Sequence, residues 1–201
     1  MSEAGKDGVK PPGVDLREEV VTIVPGRSCG TCGLCCKVYS VQELNKPEGQ
    51  WCPHVERGHG CKIHAIRPHV CRQFYCSWLV DPNLGPEWKP EVARFVISAD
   101  PKYQALTVSV DPGMPLAWKR EPYYSTLKLF SKVFFPLNKK VLVSLRGHIT
   151  VVLPEGDVPL GVIAPGEEIV LWREGSAHRA MLRRDLERDR AAAGGPRPAP
   201  M

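Results

Sequence analysis

Apolar and polar positions keep a clear rhythm over the second half of the chain. Leu106, Val108 and Val110 alternate with polar neighbours, the period of a strand with one buried face, and the Val- and Ile-rich residues 92–98 supply a partner strand. Residues 92–98 and 104–110 therefore predict a hairpin. Pro122 stands where a first helical residue is tolerated, and Tyr123, Leu127, Phe130 and Phe134 recur at helical spacing until Pro136. That stripe predicts a helix lying on a sheet. Residues 141–146 and 149–153 predict a second hairpin around Gly147-His148, residues 158–163 a weaker strand, and residues 169–172 another. Ser176 is placed to cap a helix carrying Ala180, Met181 and Leu182 with Arg179, Arg183, Arg184, Arg188 and Arg190, and the Ala-Gly-Pro segment from Ala191 reads as disordered. Asp185, Glu187 and Asp189 offset much of that positive charge, which suits a solvated helix.

The first third has a different texture. Residues 1–24 read as a polar arm with Pro11-Pro12, ending in the β-branched run of residues 20–24 as a lead-in strand that Pro25-Gly26 breaks. Residues 37–44 suit a short helix or strand, Asn45-Lys-Pro-Glu-Gly49 a turn, and Pro68 a helix start. Residues 81–90, dense in Pro and Gly, form the expected boundary. The expected fold class is α+β: a small, metal-stabilised, cysteine-rich domain over residues 25–80, then an antiparallel sheet with one packed helix over residues 91–173. Residues 174–201 follow as basic helix and tail. Because residues 25–80 are thin in apolar side chains, a metal would supply much of their folding free energy.

All eight cysteines fall in that segment: Cys29, Cys32, Cys35, Cys36, Cys52, Cys61, Cys71 and Cys76. In Cys29-Gly-Thr-Cys32-Gly-Leu-Cys35-Cys36, two-residue gaps let the chain turn back so that three thiolates reach one centre, as in cubane iron-sulfur sites. Zinc more often uses two separate C-x2-C knuckles, so the pattern leans to iron-sulfur with zinc as the alternative. Adjacent side chains diverge, so Cys36 is expected to serve elsewhere, with the segment from Cys61 to Cys76. Eight thiolates suffice for two four-ligand centres or for one cluster with spare cysteines. His54, His59, His64 and His69 are further candidate ligands, with His64 favoured by the Cys61-Lys-Ile-His64 spacing. Arg67 and Arg72 can donate to cysteine sulfur and offset its charge, or serve ordinary ion pairs. Trp51, Phe74, Tyr75 and Trp78 are placed to shield the site from water.

At these residues the chain resembles the YkgJ-type cysteine-cluster family, described as a zinc- or iron-chelating domain. The likeness rests on Cys29, Cys32, Cys35 and Cys36, then Cys52-Pro53, Cys61-Lys-Ile-His64, and Arg67-Pro68 with Cys71-Arg72, Phe74 and Cys76. It implies metal binding. The family often carries Tyr where this chain has His64, which the resemblance counts against a ligand role there. A longer branch, similar to this chain only through the cysteine block, is associated with protein lysine methylation.

Composition narrows the remaining choices. A net charge of +5 over 201 residues is mild, so nucleic acid is not an expected partner without a concentrated basic patch. The first 13 residues lack an apolar signal core and no run reaches the roughly 18 apolar residues of a membrane span, which predicts a cytoplasmic protein whose thiols bind metal in preference to forming disulfides. G-x-G-x-x-G, G-x4-G-K-[ST], H-E-x-x-H and G-x-S-x-G are all missing. The C-x3-C-x2-C cradle of radical chemistry is also missing, because position 39 is Tyr. A thioredoxin-like role for Cys29 and Cys32 lacks its βαβ setting. Two functions remain: a structural or sensory metal protein whose C-terminal half docks a protein partner, and an iron-sulfur enzyme, redox or protein-modifying.

Overall fold

A computed structural model describes residues 21–100 and 104–193. Its centre is a five-stranded sheet in the order β3-β4-β5-β6-β7, built from β3 (Phe95–Asp100), β4 (Ala105–Val110), β5 (Lys140–Leu145), β6 (His148–Val152) and β7 (Asp157–Val162). The cysteine region before it contains α1 (Cys35–Val38), the two-residue strands β1 (Val55–Glu56) and β2 (Gly60–Cys61), α2 (His69–Gln73) and α3 (Ser77–Val80). The turn α4 (Pro90–Ala93) leads into β3, α5 (Tyr123–Phe134) joins β4 to β5, and β8 (Ile169–Glu174), β9 (Ala177–Leu182) and α6 (Arg183–Ala193) complete the described chain.

The sheet is mixed, which corrects the expected antiparallel arrangement. β3 with β4, β5 with β6, and β6 with β7 are antiparallel, but β4 and β5 run parallel with Val108 opposite Val143. The reason lies in residues 111–139: a connection containing a helix carries the chain back across the sheet, where a tight turn would have reversed it. The sheet is covered on both faces. Val108, Val110, Val141, Val143 and Val152 point to the first core with Phe95, Ile97, Tyr123 and Leu127, while Ala105, Leu142 and Val151 point to a second core with Ile169, Leu171, Ala180 and Leu182. Strand alternation thus feeds α5 on one face and the β8-β9 hairpin on the other. Leu84 and Trp88, from the Pro- and Gly-rich junction at residues 81–90, are buried in the first core.

Two further expectations are overturned. Residues 177–182 form strand β9, not the start of a helix capped by Ser176; Glu174 pairs with Ala177 across a two-residue turn in which Gly175 has a φ of 60°. Ala180 and Leu182 then fall on one face and bury at 6% and 1% exposure, the period of a strand, and the helix begins only at Arg183. Residues 21–24 are not a strand, although the Val24 N–H donates to the Leu79 carbonyl at 2.9 Å. The rest of the expected arm, residues 1–20, lies outside the described residues. Helix α6 continues through Ala191 to Ala193, and the remainder of the expected tail likewise lies outside them.

The cysteine region seats on the outer end of this sheet. Val96, fully buried on β3, points away from the first core and meets Leu34, Val38, Cys76 and Leu79. Helices α1 and α3 are thereby fixed against an edge strand.

Candidate metal centre

Local hydrogen bonds fold the first four cysteines into a compact turn. The Cys32 N–H donates to the Cys29 carbonyl at 2.8 Å, the Cys36 N–H donates to the Gly33 carbonyl at 3.0 Å, and α1 begins at Cys35. The Cys52 N–H then donates to the Cys36 carbonyl at 3.0 Å, which ties the next cysteine to that turn. Cys61 arrives on β2, where Gly60 takes a φ of 91° and lies so close to Gly30 that a Cβ would stand 2.4 Å from its carbonyl oxygen. Cys71 sits in α2, started after Pro68, and Cys76 precedes α3.

These pieces enclose one cavity of about 290 Å³, and all eight cysteines line it. Tyr39, His64, Arg67, Phe74 and Trp78 complete much of its wall. All eight are free thiols. The Cys35 and Cys36 sulfurs lie 4.0 Å apart, so these neighbours converge on the cavity instead of diverging. Among the described residues no three His, Cys, Asp or Glu side chains stand close enough together to hold one ion. The thiols ring the wall.

The electrostatics separate Cys36 from the others. A hydrogen bond from Cys35 draws the Cys36 thiol down to about 7; burial opposes this, and the positive charges of Lys46 and Arg67 add to the lowering. Cys35 is held well above the ordinary thiol range by the same hydrogen bond and by burial. Burial also raises Cys29, Cys32, Cys61 and Cys71, and pushes Cys76 up to about 11. A bound cation would lower all of these values, because a coordinating thiol gives up its proton.

Arg67 is brought to the cavity. It donates through Nε to the Cys71 carbonyl at 3.1 Å and through Nη1 to the His64 carbonyl at 3.0 Å, with the His64 Nε2 atom 2.6 Å away. Arg72 is exposed and is not part of the cavity lining. His64 lines the cavity; His59 and His69 are exposed, and the His54 carbonyl accepts from the Lys62 N–H at 2.8 Å. Of the four aromatic residues expected as a shield, Phe74 and Trp78 face the thiols. Tyr75 packs in the surrounding apolar cluster, and Trp51 faces a different cavity.

Two groups were not assigned these roles from sequence. Lys46 is 4% exposed, and its ammonium donates to the carbonyls of Lys37 and Tyr39, which holds a positive charge beside Cys36 and Cys52. Burial lowers its pKa and the neighbouring thiols oppose that lowering. A lysine in a predicted turn gives no sign of burial until the carbonyls that receive it are placed. Trp78 lines the cavity with its indole Nε1 buried and without a hydrogen-bond partner among the described residues. Its ring is stacked by Arg27, 5.0 Å from the centroid, whose guanidinium also binds the carbonyls of Trp78, Asp81 and Leu84.

The cavity presents eight thiols, with Lys46 and Arg67 nearby as positive charges able to offset thiolate. No family model, curated protein or solved structure matches the chain.

Proposed function

We propose that this chain is a metal-binding protein of the YkgJ-type cysteine-cluster kind, in which the cysteines hold an iron-sulfur cluster with a structural or sensory role. The observation that carries the reading is the single cavity lined by every cysteine of the chain. A volume of about 290 Å³ far exceeds the roughly 15 Å³ needed to admit one water-sized sphere, which favours a polynuclear cluster, or two centres, over one enclosed zinc ion. Cys29, Cys32 and Cys35 bind one centre together with a more distant cysteine. Cys36, whose sulfur lies 4.0 Å from that of Cys35, joins this centre to the thiols of Cys61, Cys71 and Cys76, and Cys52 completes the supply of thiolates.

Such a group supplies a redox-active or tightly closing centre when bound. The chain's own residues do the rest. Arg67 and Lys46 hold positive charge beside the thiolates, and Phe74, Tyr39 and Trp78 exclude water. In a reducing cytoplasm the thiols remain available to metal. The C-terminal half is proposed to dock a protein partner, a reading supported by Leu129 and Val133, 57% and 56% exposed one turn apart on α5. Among the described residues no helix is long and apolar enough to cross a membrane.

The test is metal content before and after substitution. Cys32→Ser is expected to release most of the metal and to loosen residues 25–80, measured by elemental analysis and hydrogen exchange. Unchanged metal content in Cys32→Ser would sink the assignment.

A further inference from the structure

The cysteine turn divides its residues between two cavities. Its sulfurs line the first, while Thr31, Gly33, Leu34 and Lys37 line a second, of about 370 Å³, with Trp51, Arg57, Glu91 and Arg94. Three cations meet one carboxylate there. Glu91 is engaged by Lys89 at 2.5 Å and by the Thr31 hydroxyl at 3.3 Å. Asp111, fully buried, fixes two of the cations: its carboxylate accepts from Lys37, from the Gly113 N–H and from Arg94 Nη2. A lysine has three donors and an arginine five, so both keep donors for another acceptor. Arg94 Nε is buried and without a hydrogen-bond partner among the described residues.

A purely structural ion-pair role accounts for Asp111, Lys37 and Arg94. It does not account for Arg57, which is exposed and stands 5.3 Å from the centroid of the same Trp51 ring that Lys37 approaches at 5.4 Å. Guanidinium groups bind oxyanions through paired, charge-assisted hydrogen bonds. We infer that this second cavity binds a small oxyanion, the phosphate or carboxylate group of a ligand, between Arg57, Lys37 and Arg94 beside Trp51. The inference does not rest on the metal reading. It places an anion site on the same turn that presents Cys29, Cys32, Cys35 and Cys36, so any energetic coupling between the two sites would be reciprocal.

Equilibrium dialysis of the full chain as purified tests this, using radiolabelled inorganic phosphate in one arm and radiolabelled succinate in the other, at low ionic strength. Saturable binding of at least one is expected, weakened about tenfold or more by Arg57→Gln, the loss of a charge-assisted contact. Binding of phosphate alone assigns a phosphate-bearing ligand, and of succinate alone a carboxylate. Failure of both anions to saturate, or equal affinity in Arg57→Gln, overturns the inference. Arg57 is exposed, so that variant is expected to fold; metal content and thermal unfolding of the same samples separate failure here from failure of the metal reading.

Discussion

Gly60 shows how one backbone position controls the thiol cavity. Its φ of 91° suits glycine, and an added Cβ would meet the Gly30 oxygen at 2.4 Å, so Gly60→Ala has to push β2 away from the Cys29 turn. A loss of about 2 kcal/mol or more in urea unfolding is expected, with weaker metal retention. Asp111 governs a different response. Burial raises its pKa, but Lys37, the Gly113 N–H and Arg94 outweigh that and hold the carboxyl below the ordinary value of 3.8. A depressed folded pKa contributes stability that is full above the unfolded value and is lost as pH falls through the folded one. Asp111→Asn is therefore expected to cost about 2 kcal/mol at neutral pH, with Lys37 and Arg94 left partly solvated. It should also flatten the decline in urea midpoint below about pH 4. A decline of unchanged steepness would assign the acid sensitivity elsewhere.

Strands and helices differ in how openly the sequence announces them. The alternation of Leu106, Val108 and Val110, the stripe of Tyr123, Leu127, Phe130 and Phe134, and the turn before His148 were legible because each buries one face of one element. β9 was not. Gly175 and Ser176 serve equally as a tight hairpin turn or a helix approach, and only pairing with β8 decides that Ala180 and Leu182 share a strand face. The parallel pairing of β4 with β5 was hidden for a similar reason, since it depends on where α5 returns the chain. Leu182→Ala, at 1% exposure in the second core, is expected to destabilise by about 3 kcal/mol in chemical denaturation. A change under about 0.5 kcal/mol would mark a solvated position and contradict the burial of Leu182 on β9.

Across the whole molecule, the cysteine region and the sheet depend on one another through Val96 and through the Arg27 contacts to Trp78, Asp81 and Leu84. Sequence placed all eight cysteines in one segment and grouped them by spacing. It could not reveal that they ring one cavity, because Cys52, Cys61, Cys71 and Cys76 reach it from separate segments. Nor could it expose Lys46 or the Trp78 indole, whose roles exist only after the surrounding carbonyls and walls are in place. On the metal-binding proposal, treatment with a chelator is expected to raise hydrogen exchange first over residues 25–80 while β4, β5 and β6 stay protected.

The most direct measurement is iron, zinc and acid-labile sulfide per chain, on protein purified without oxygen, with the visible absorption spectrum of the same sample. Iron and sulfide in about equal amounts, with a broad thiolate-to-iron band, is the predicted result. Zinc without colour would contradict the iron-sulfur cluster and leave a metal staple. A chain free of stoichiometric metal, with all its thiols titratable, would contradict the central claim that the cysteine cavity is a metal site.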